Sequence, residues 1–389
     1  MGTVIHRAGW VVVDPWTVYP NGYVRVEDGV IHTIGQKTTP AISTDSGQVR
    51  DHGDGVLFAA LVNAHTHLEL SALRGRMTTH KGFGFWVKDL IEKRALLDNA
   101  TLLKAAESGI REILASGCGA VGEISSLELT LEPIQKSGLS GVWFREYLGD
   151  RVSIPEYRET HPGDLPVSLA GHAPHTTSPT VLTEIKCRTR RQNTPFSIHL
   201  AESDEEMSFL TTGQGSWKDF LQSRGIDSTS WGLPVESPVK YLQSLGILDD
   251  RTILVHVLHA DQADLNVIHE SGAHVCLCPR SNTTLHGRLP DIDGMIRTGI
   301  PLCLGTDSLA SVNSLSLFDE MTFISKSFSN IAPERIFQMA TSGGAAALRL
   351  ASRMGSLAPG KEARLAYCDI QAYRPSQIVE ALVHFGQTA

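Results

Sequence analysis

The sequence predicts an α/β protein: a (β/α)8 TIM-type barrel carrying a small β-sandwich domain made from the N- and C-terminal segments. Three observations carry this. About eight apolar, strand-like runs follow one another between Val56 and Leu309, each ending in a polar tail. Segments with apolar residues at helical spacing separate them. The two ends of the chain lack this alternation and read as short strands with turns.

In chain order, WVVVDP, YVRVEDG and VIHTIG are strands, with Pro-Asn-Gly and Glu-Asp-Gly as punctuation. VLFAALVNAH, from Val56, is a buried strand running into a loop, and Gly82 to Gly117 reads as helices. CGAVGEIS and VWFREYLG are the next strands, with LEPIQKSG as a helix between them. PVSLAGHAPHT leads into a helix over Pro179 to Arg191, and FSIHLAES into one starting near Asp204. The Gly- and Trp-rich stretch from Gly213 to Pro238 reads as a loop over the barrel mouth. TILVHVLHAD, HVCLCPRSN and PLCLGTDSL complete the series, and strand character returns after Met354. The expected organisation is a small β domain from residues 1–56 plus 352–389 and a barrel over 57–351.

The 41% hydrophobic and 20% charged fractions are those of a soluble globular protein. A net charge of −8 argues against a partner that is nucleic acid. No apolar run approaches the ~18 residues of a membrane span, so no membrane partner is expected. MGTVIHRAGWVVVDPW lacks the basic and apolar regions of a signal peptide, and the six scattered cysteines read as reduced thiols. Both point to the cytoplasm.

Barrel enzymes place their chemistry at the C-terminal ends of the strands. Here those ends carry His65 and His67, His172 and His175, His199 and Glu202, His256 and His259, and Asp307. In an extended strand residues i and i+2 face one side, so the His-Thr-His spacing lets both rings reach one ion. A single pair of this kind is weak; metal-type or acid–base residues at five strand ends are hard to explain by chance. Imidazole with carboxylate suits a borderline divalent ion such as zinc.

HTH (65–67), HLAES (199–203), VH (255–256), CPRSN (278–282) and GTDS (305–308), with GSLAPGKEA near the end, resemble the amidohydrolase superfamily in its aminohydrolase branch. NAHTHLELS, HAPHTTSP, HLAESDEE, SPVKYLQSLGIL and CPRSNTTL are most similar to the aminodeoxyfutalosine deaminases of the futalosine route to menaquinone. The resemblance implies that His65, His67, His199 and Asp307 hold one divalent metal ion, zinc first, with iron and manganese as alternatives. It implies catalytic roles for Glu202, His256 and Asp307. Asp307 would accept the proton of a water, His256 orient that water, and Glu202 protonate the ring nitrogen beside the attacked carbon. The fourth barrel strand offers no lysine or glutamate to bridge two metals, which favours one ion.

Other residues carry two readings each. His172 is a substrate contact or a loop histidine. Glu92, Arg94 and Arg145 are substrate ligands or surface ion pairs. Asn282 and Ser281 bind substrate or cap a turn. Cys276 and Cys278, in an apolar run with no second pair, are packing residues rather than metal ligands. Glu69 is open between a supporting role, a substrate contact and neither. Arg364 stands where relatives have aspartate, which puts the packing of the small domain in question. The expected function is hydrolytic deamination of an adenine-type ring in a small purine nucleoside-like substrate, aminodeoxyfutalosine first. S-adenosylhomocysteine, methylthioadenosine and guanine follow. Cyclic amide hydrolysis and a non-catalytic scaffold are the rivals. A homodimer is the default assembly.

Overall fold

The computed structural model describes residues 2–36, 47–150, 153–154, 165–372 and 374–386. Residues 37–46 and 387–389 of the expected small domain lie outside the described residues. Strand β1 (Thr3–Asp14) pairs antiparallel with β2 (Thr17–Glu27), and β2 with β3 (Val30–Gln36). The β2–β3 turn is Asp28-Gly29, both at positive φ (49° and 83°), the conformation that a two-residue hairpin with right-handed twist requires. Pro20-Asn21-Gly22 ends no strand: β2 runs through it, with Asn21 at φ 47°.

β4 (Gln48–Asp51) and β5 (Val56–Ala59) lie parallel to β1, and a C-terminal strand, Leu365–Cys368, pairs antiparallel with β5. Among the described residues the second β domain is thus one six-stranded sheet, packed over Val11, Val24, Ile31, Leu57 and Leu357. The single run VLFAALVNAH divides between two sheets. β5 belongs to the terminal sheet, and after Ala60 the chain enters the barrel. Arg364 bonds the Gly138 carbonyl, tying the terminal sheet to a barrel loop. The helix Pro375–Val383 closes the C-terminal end against the helices Leu317–Ser327 and Pro333–Gln338.

The barrel strands are β6 (Leu61–Thr66), β7 (Cys118–Ser125), β8 (Ser140–Tyr147), β9 (Val167–Gly171), β10 (Phe196–Leu200), β11 (Thr252–His256), β12 (His274–Leu277) and β13 (Leu302–Leu304). They pair in sequence order, all parallel. Val62, Ala120, Val142, Ala170, Ile253 and Cys276 fill the interior, so Cys276 packs as expected, and Cys278 joins it.

The seam between β6 and β13 closes differently. Thr66 and Asp307 form a parallel bridge, Thr306 N donates to the His65 carbonyl at 3.0 Å, and the Asn63 amide donates to the Thr306 hydroxyl at 2.8 Å. A Cβ on Gly305 would meet the His65 carbonyl oxygen at 2.7 Å and the His65 Cβ at 2.8 Å, so this position must be glycine for the seam to close.

Loop-to-helix starts are set by caps. The side chains of Ser178, Ser203 and Asp261 accept from Val181, Glu206 and Asp264 backbone N–H groups. The stretch read as a loop over the mouth contains a helix, Ser216–Ser223. Its Trp217, together with Trp231, Phe83 and Trp86, forms a separate apolar cluster. Burying two tryptophans is what orders this insert. Among the described residues no helix is long and apolar enough to cross a membrane.

Candidate active site

The ends of β6 and β10 bring three imidazoles together. One ring nitrogen of each of His65, His67 and His199 lies within 4.8 Å of the others, and the Nε2 atoms of His67 and His199 are 3.3 Å apart. Asp307, just past β13, sets its Oδ1 3.9 Å from His65 Nε2 and 3.8 Å from His67 Nε2. Its other oxygen, Oδ2, accepts from the hydroxyls of Ser281 at 2.5 Å and Ser311 at 3.2 Å, which turns Oδ1 to the rings. Burial lowers the pKa of His67 and of His199 to about 4, and of His65 well below its ordinary value, and neighbouring imidazoles add to the effect on His65 and His199. The rings are therefore neutral donors at physiological pH.

Both ring nitrogens of His65 are buried without a hydrogen-bond partner among the described residues. Buried polar atoms of this kind need a partner. A divalent cation facing three nitrogens and one carboxylate oxygen would supply it to the His65 nitrogen turned to the cluster, so the residues present fit the metal.

A second group, Glu146, His172 and His199, also has metal-type donors within 4.8 Å of one another. It shares His199 with the first. His199 Nδ1 is already held by the His172 carbonyl at 2.7 Å, leaving one nitrogen for both groups. The two groups therefore provide for one ion, not two.

On the other flank of His199 lies Glu202. Its Oε1 faces His256 Nε2 at 3.6 Å and His286 Nε2 at 3.2 Å. Burial alone would raise the pKa of this carboxyl; the two imidazoles outweigh burial and hold it well below its ordinary value. His256 is oriented in turn by Asn282, whose Oδ1 is 2.7 Å from His256 Nδ1. Glu206 fixes the backbone below: its carboxylate accepts from Ala201 N at 2.9 Å and Glu202 N at 2.8 Å. Ala201, His256, Val257 and Asp307 all sit at positive φ (50°, 76°, 51° and 55°). Non-glycine residues pay for that conformation, and such strain gathers where function over-determines the backbone.

The remaining sequence-expected residues divide. His172 is brought in, its ring centroid 4.9 Å from that of His199, and its Nδ1 is 2.7 Å from the Thr176 hydroxyl. Asn282 reaches the cluster through His256. Arg145 does not join it: it pairs with Glu128, because its neighbour Glu146 takes the inward side of β8 and strand neighbours face opposite ways. Glu92 is exposed on the helix Phe83–Ala95. Arg94 from the same helix lies 3.4 Å from Glu69. Glu69 itself is fully engaged: it accepts from the Ser125 and Ser126 hydroxyls and from Ser126 and Leu127 N–H groups, so it fastens the loop after β7. His175 packs on Trp217 and faces Glu206 at 3.5 Å, while His259 faces Asp204 at 3.7 Å nearer the surface.

Sequence reasoning missed Glu206, His286 and Glu146. The Ser203-to-Glu206 spacing is that of a helix-capping pair and could have flagged the first. No comparable signal marks His286 or Glu146.

An amidohydrolase family model matches residues 56–387. The chain is 26% identical to a 5-methylthioadenosine/S-adenosylhomocysteine deaminase of Nitratidesulfovibrio vulgaris, over 97% of this chain and 85% of that one. It is also 26% identical to an aminodeoxyfutalosine deaminase of Deinococcus radiodurans, over 73% of this chain and 71% of that one. The crystal structure of Helicobacter pylori aminofutalosine deaminase in complex with methylthio-coformycin superposes with a TM-score of 0.85 at 26% identity, covering 98% of this chain and 96% of the other. With the barrel, the histidine cluster and the span of the family match together, the chain belongs to the amidohydrolase family and is a hydrolase acting on C–N bonds.

Proposed function

We propose that this chain is a metal-dependent aminohydrolase that deaminates the adenine-type ring of a purine nucleoside, with 6-amino-6-deoxyfutalosine as the first-choice substrate. The observation that carries the reading is the position of Glu202. It stands beside the four-donor cluster, not in it, with Oε1 held by two imidazoles. Oε2 is thereby left for another partner. Deamination needs such a group, because ammonia leaves only after a proton arrives; expulsion of chloride needs none.

His65, His67, His199 and Asp307 would hold the ion, zinc first. When bound, the ion acidifies water, supplying a nucleophile near neutral pH. The protein's own residues do the rest. His256, fixed by Asn282, orients the attacking water. Glu202, charged at rest, takes one proton of that water and delivers it to the ring nitrogen beside the attacked carbon as the remaining hydroxyl adds there. Asp307 Oδ1 then accepts the hydroxyl proton and passes it to the departing amine, so that C=O forms, ammonia leaves and both carboxylates end as they began. His172 contacts the ring from the other flank. Glu92 and Arg145 are left with no supporting contact in this scheme.

Relatives named for three related nucleosides support an adenine-type substrate: methylthioadenosine/S-adenosylhomocysteine, 5'-deoxyadenosine and aminodeoxyfutalosine. At 25–26% identity to each, they do not rank the three. The deciding experiment is ammonia release by the zinc-loaded protein on aminodeoxyfutalosine, S-adenosylhomocysteine, methylthioadenosine, 5'-deoxyadenosine, adenosine, guanine and cytosine. Preference for one adenine nucleoside names the substrate. Silence on every amine, with turnover of a cyclic amide, would replace the reading. Glu202→Gln is expected to cost roughly 10²- to 10⁴-fold in kcat while metal content stays unchanged.

A further inference from the structure

Glu146 lies at the C-terminal end of β8 and has no place in the scheme above. It is 8% exposed, and its Oε1 is buried with no hydrogen-bond partner among the described residues. A buried carboxyl oxygen left open is costly, and native proteins rarely tolerate one that nothing ever fills. Its position is specific. A carboxyl oxygen of Glu146 lies within 4.8 Å of a His199 ring nitrogen and of a His172 ring nitrogen. His199 thus has two flanks. On one stand His256 and Glu202, with the His256 ring 5.4 Å from that of His199. On the other stand His172 and Glu146, with the His172 ring 4.9 Å away. With Glu146 and His172 on the strands before β10 and His256 on the strand after it, a flat ring lying over His199 would have a carboxyl toward each edge.

This inference rests on the adenine-type reading. In such a ring the amine-bearing carbon has a nitrogen on one side, which Glu202 serves. On its other side the amine and N7 present a donor next to an acceptor. A carboxylic acid offers the complement: its carbonyl oxygen accepts from the amine and its O–H donates to N7. The nearness to His199 puts this contact at the reacting edge of the ring and not at the sugar.

We propose that Glu146 binds the amine–N7 edge of the purine and so selects 6-aminopurine nucleosides over amines that lack an acceptor at that position.

The test is a cycle of enzyme and substrate. The substrates are the adenine nucleoside preferred by the wild type and its 7-deaza analogue, in which N7 is replaced by C–H. Glu146→Ala is expected to lower kcat/KM by about 10- to 100-fold on the natural ring and by less than about threefold on the 7-deaza ring. Glu146→Gln keeps an acceptor beside a donor and is expected to recover at least about tenfold of what alanine loses. The wild type alone should also discriminate against the 7-deaza ring by about tenfold or more, a readout that needs no variant to fold. Equal losses on both rings, no loss, or glutamine no better than alanine would each overturn the proposal. Failure of the wild type on every adenine nucleoside is a separate outcome: it removes the deaminase reading, and this assignment with it.

Discussion

His286 shows how much a single side chain outside the metal-type donors can set. It comes from the helix Pro279–His286, lies tilted against the Phe83 ring with centroids 4.8 Å apart, and shares Glu202 Oε1 with His256. Removing it takes away part of what holds the Glu202 carboxyl down, so that pKa should rise. His286→Phe is expected to move the acidic limb of the kcat–pH profile to higher pH and to lower kcat about tenfold. An unmoved limb would mean that His286 only fills space. Glu320 is a second buried carboxyl with a stability signature. Burial pushes it up to about 8, against an ordinary value of 4.5, with Arg280 opposing. Between those values the native chain keeps a proton that the unfolded chain releases, so its contribution to stability falls as pH rises through that window. Glu320→Gln should flatten the fall in unfolding free energy between about pH 5 and 8, measured by denaturant titration. At this scale the sequence was most legible where the strand period does the work. His65 and His67 were readable because i and i+2 share a face. His286 and Glu206 were not, because a helix after a strand can present any residue to the mouth, and the angle is set by packing. Arg145 and Glu146 show the limit of the strand rule: alternation says that only one faces in, but not which one.

Elements were legible where a run of apolar residues ended in a clear turn, and less so where one run served two sheets. VLFAALVNAH has no polar residue to mark its division at Ala60, so β5 and β6 read as one strand. The insert after Gly213 looked like a loop because glycines flank it, yet Trp217 and Trp231 supply enough buried surface for a helix to dock. The glycine in GTDS is informative in hindsight. Gly305 lets β13 approach β6 so closely that a methyl group would strike His65. Gly305→Ala is expected to destabilise the fold by ~1–3 kcal/mol. It should also weaken zinc binding more than a surface change of equal cost does, because the displaced residue belongs to the cluster. Thermal melts with and without zinc separate the two effects. A variant with lowered stability and unchanged zinc affinity would show that the close approach serves packing alone.

For the molecule as a whole, the seam between β6 and β13 is the place where the barrel is held by few bonds of its own. The donors of the cluster straddle it, with His65 and His67 on one side and Asp307 on the other. A bound cation therefore stabilises the closed barrel by mass action, as any ligand of the native state does. Chelation should lower the melting temperature and speed amide exchange in Leu61–Thr66 and Leu302–Leu304, while Val167–Gly171, in the middle of the strand order, stays protected. Uniform loss of protection across all eight strands would show that closure does not depend on the ion.

The same seam fixes an order of events in synthesis. The Thr66–Asp307 contact joins residues 241 positions apart. A ribosome delivers His65 in β6 and His67 just past it early, and the carboxylate that completes their set only after seven further strands. Until then β6 has an unpaired edge and its histidines have no carboxylate partner, so the nascent barrel is open to mispairing and cannot select its metal by the full donor set. On the proposed ligand set, metal choice belongs to the end of translation. A chain stalled before Leu302 would be a sheet with a loose edge, exposed to whatever cation or strand reaches it first.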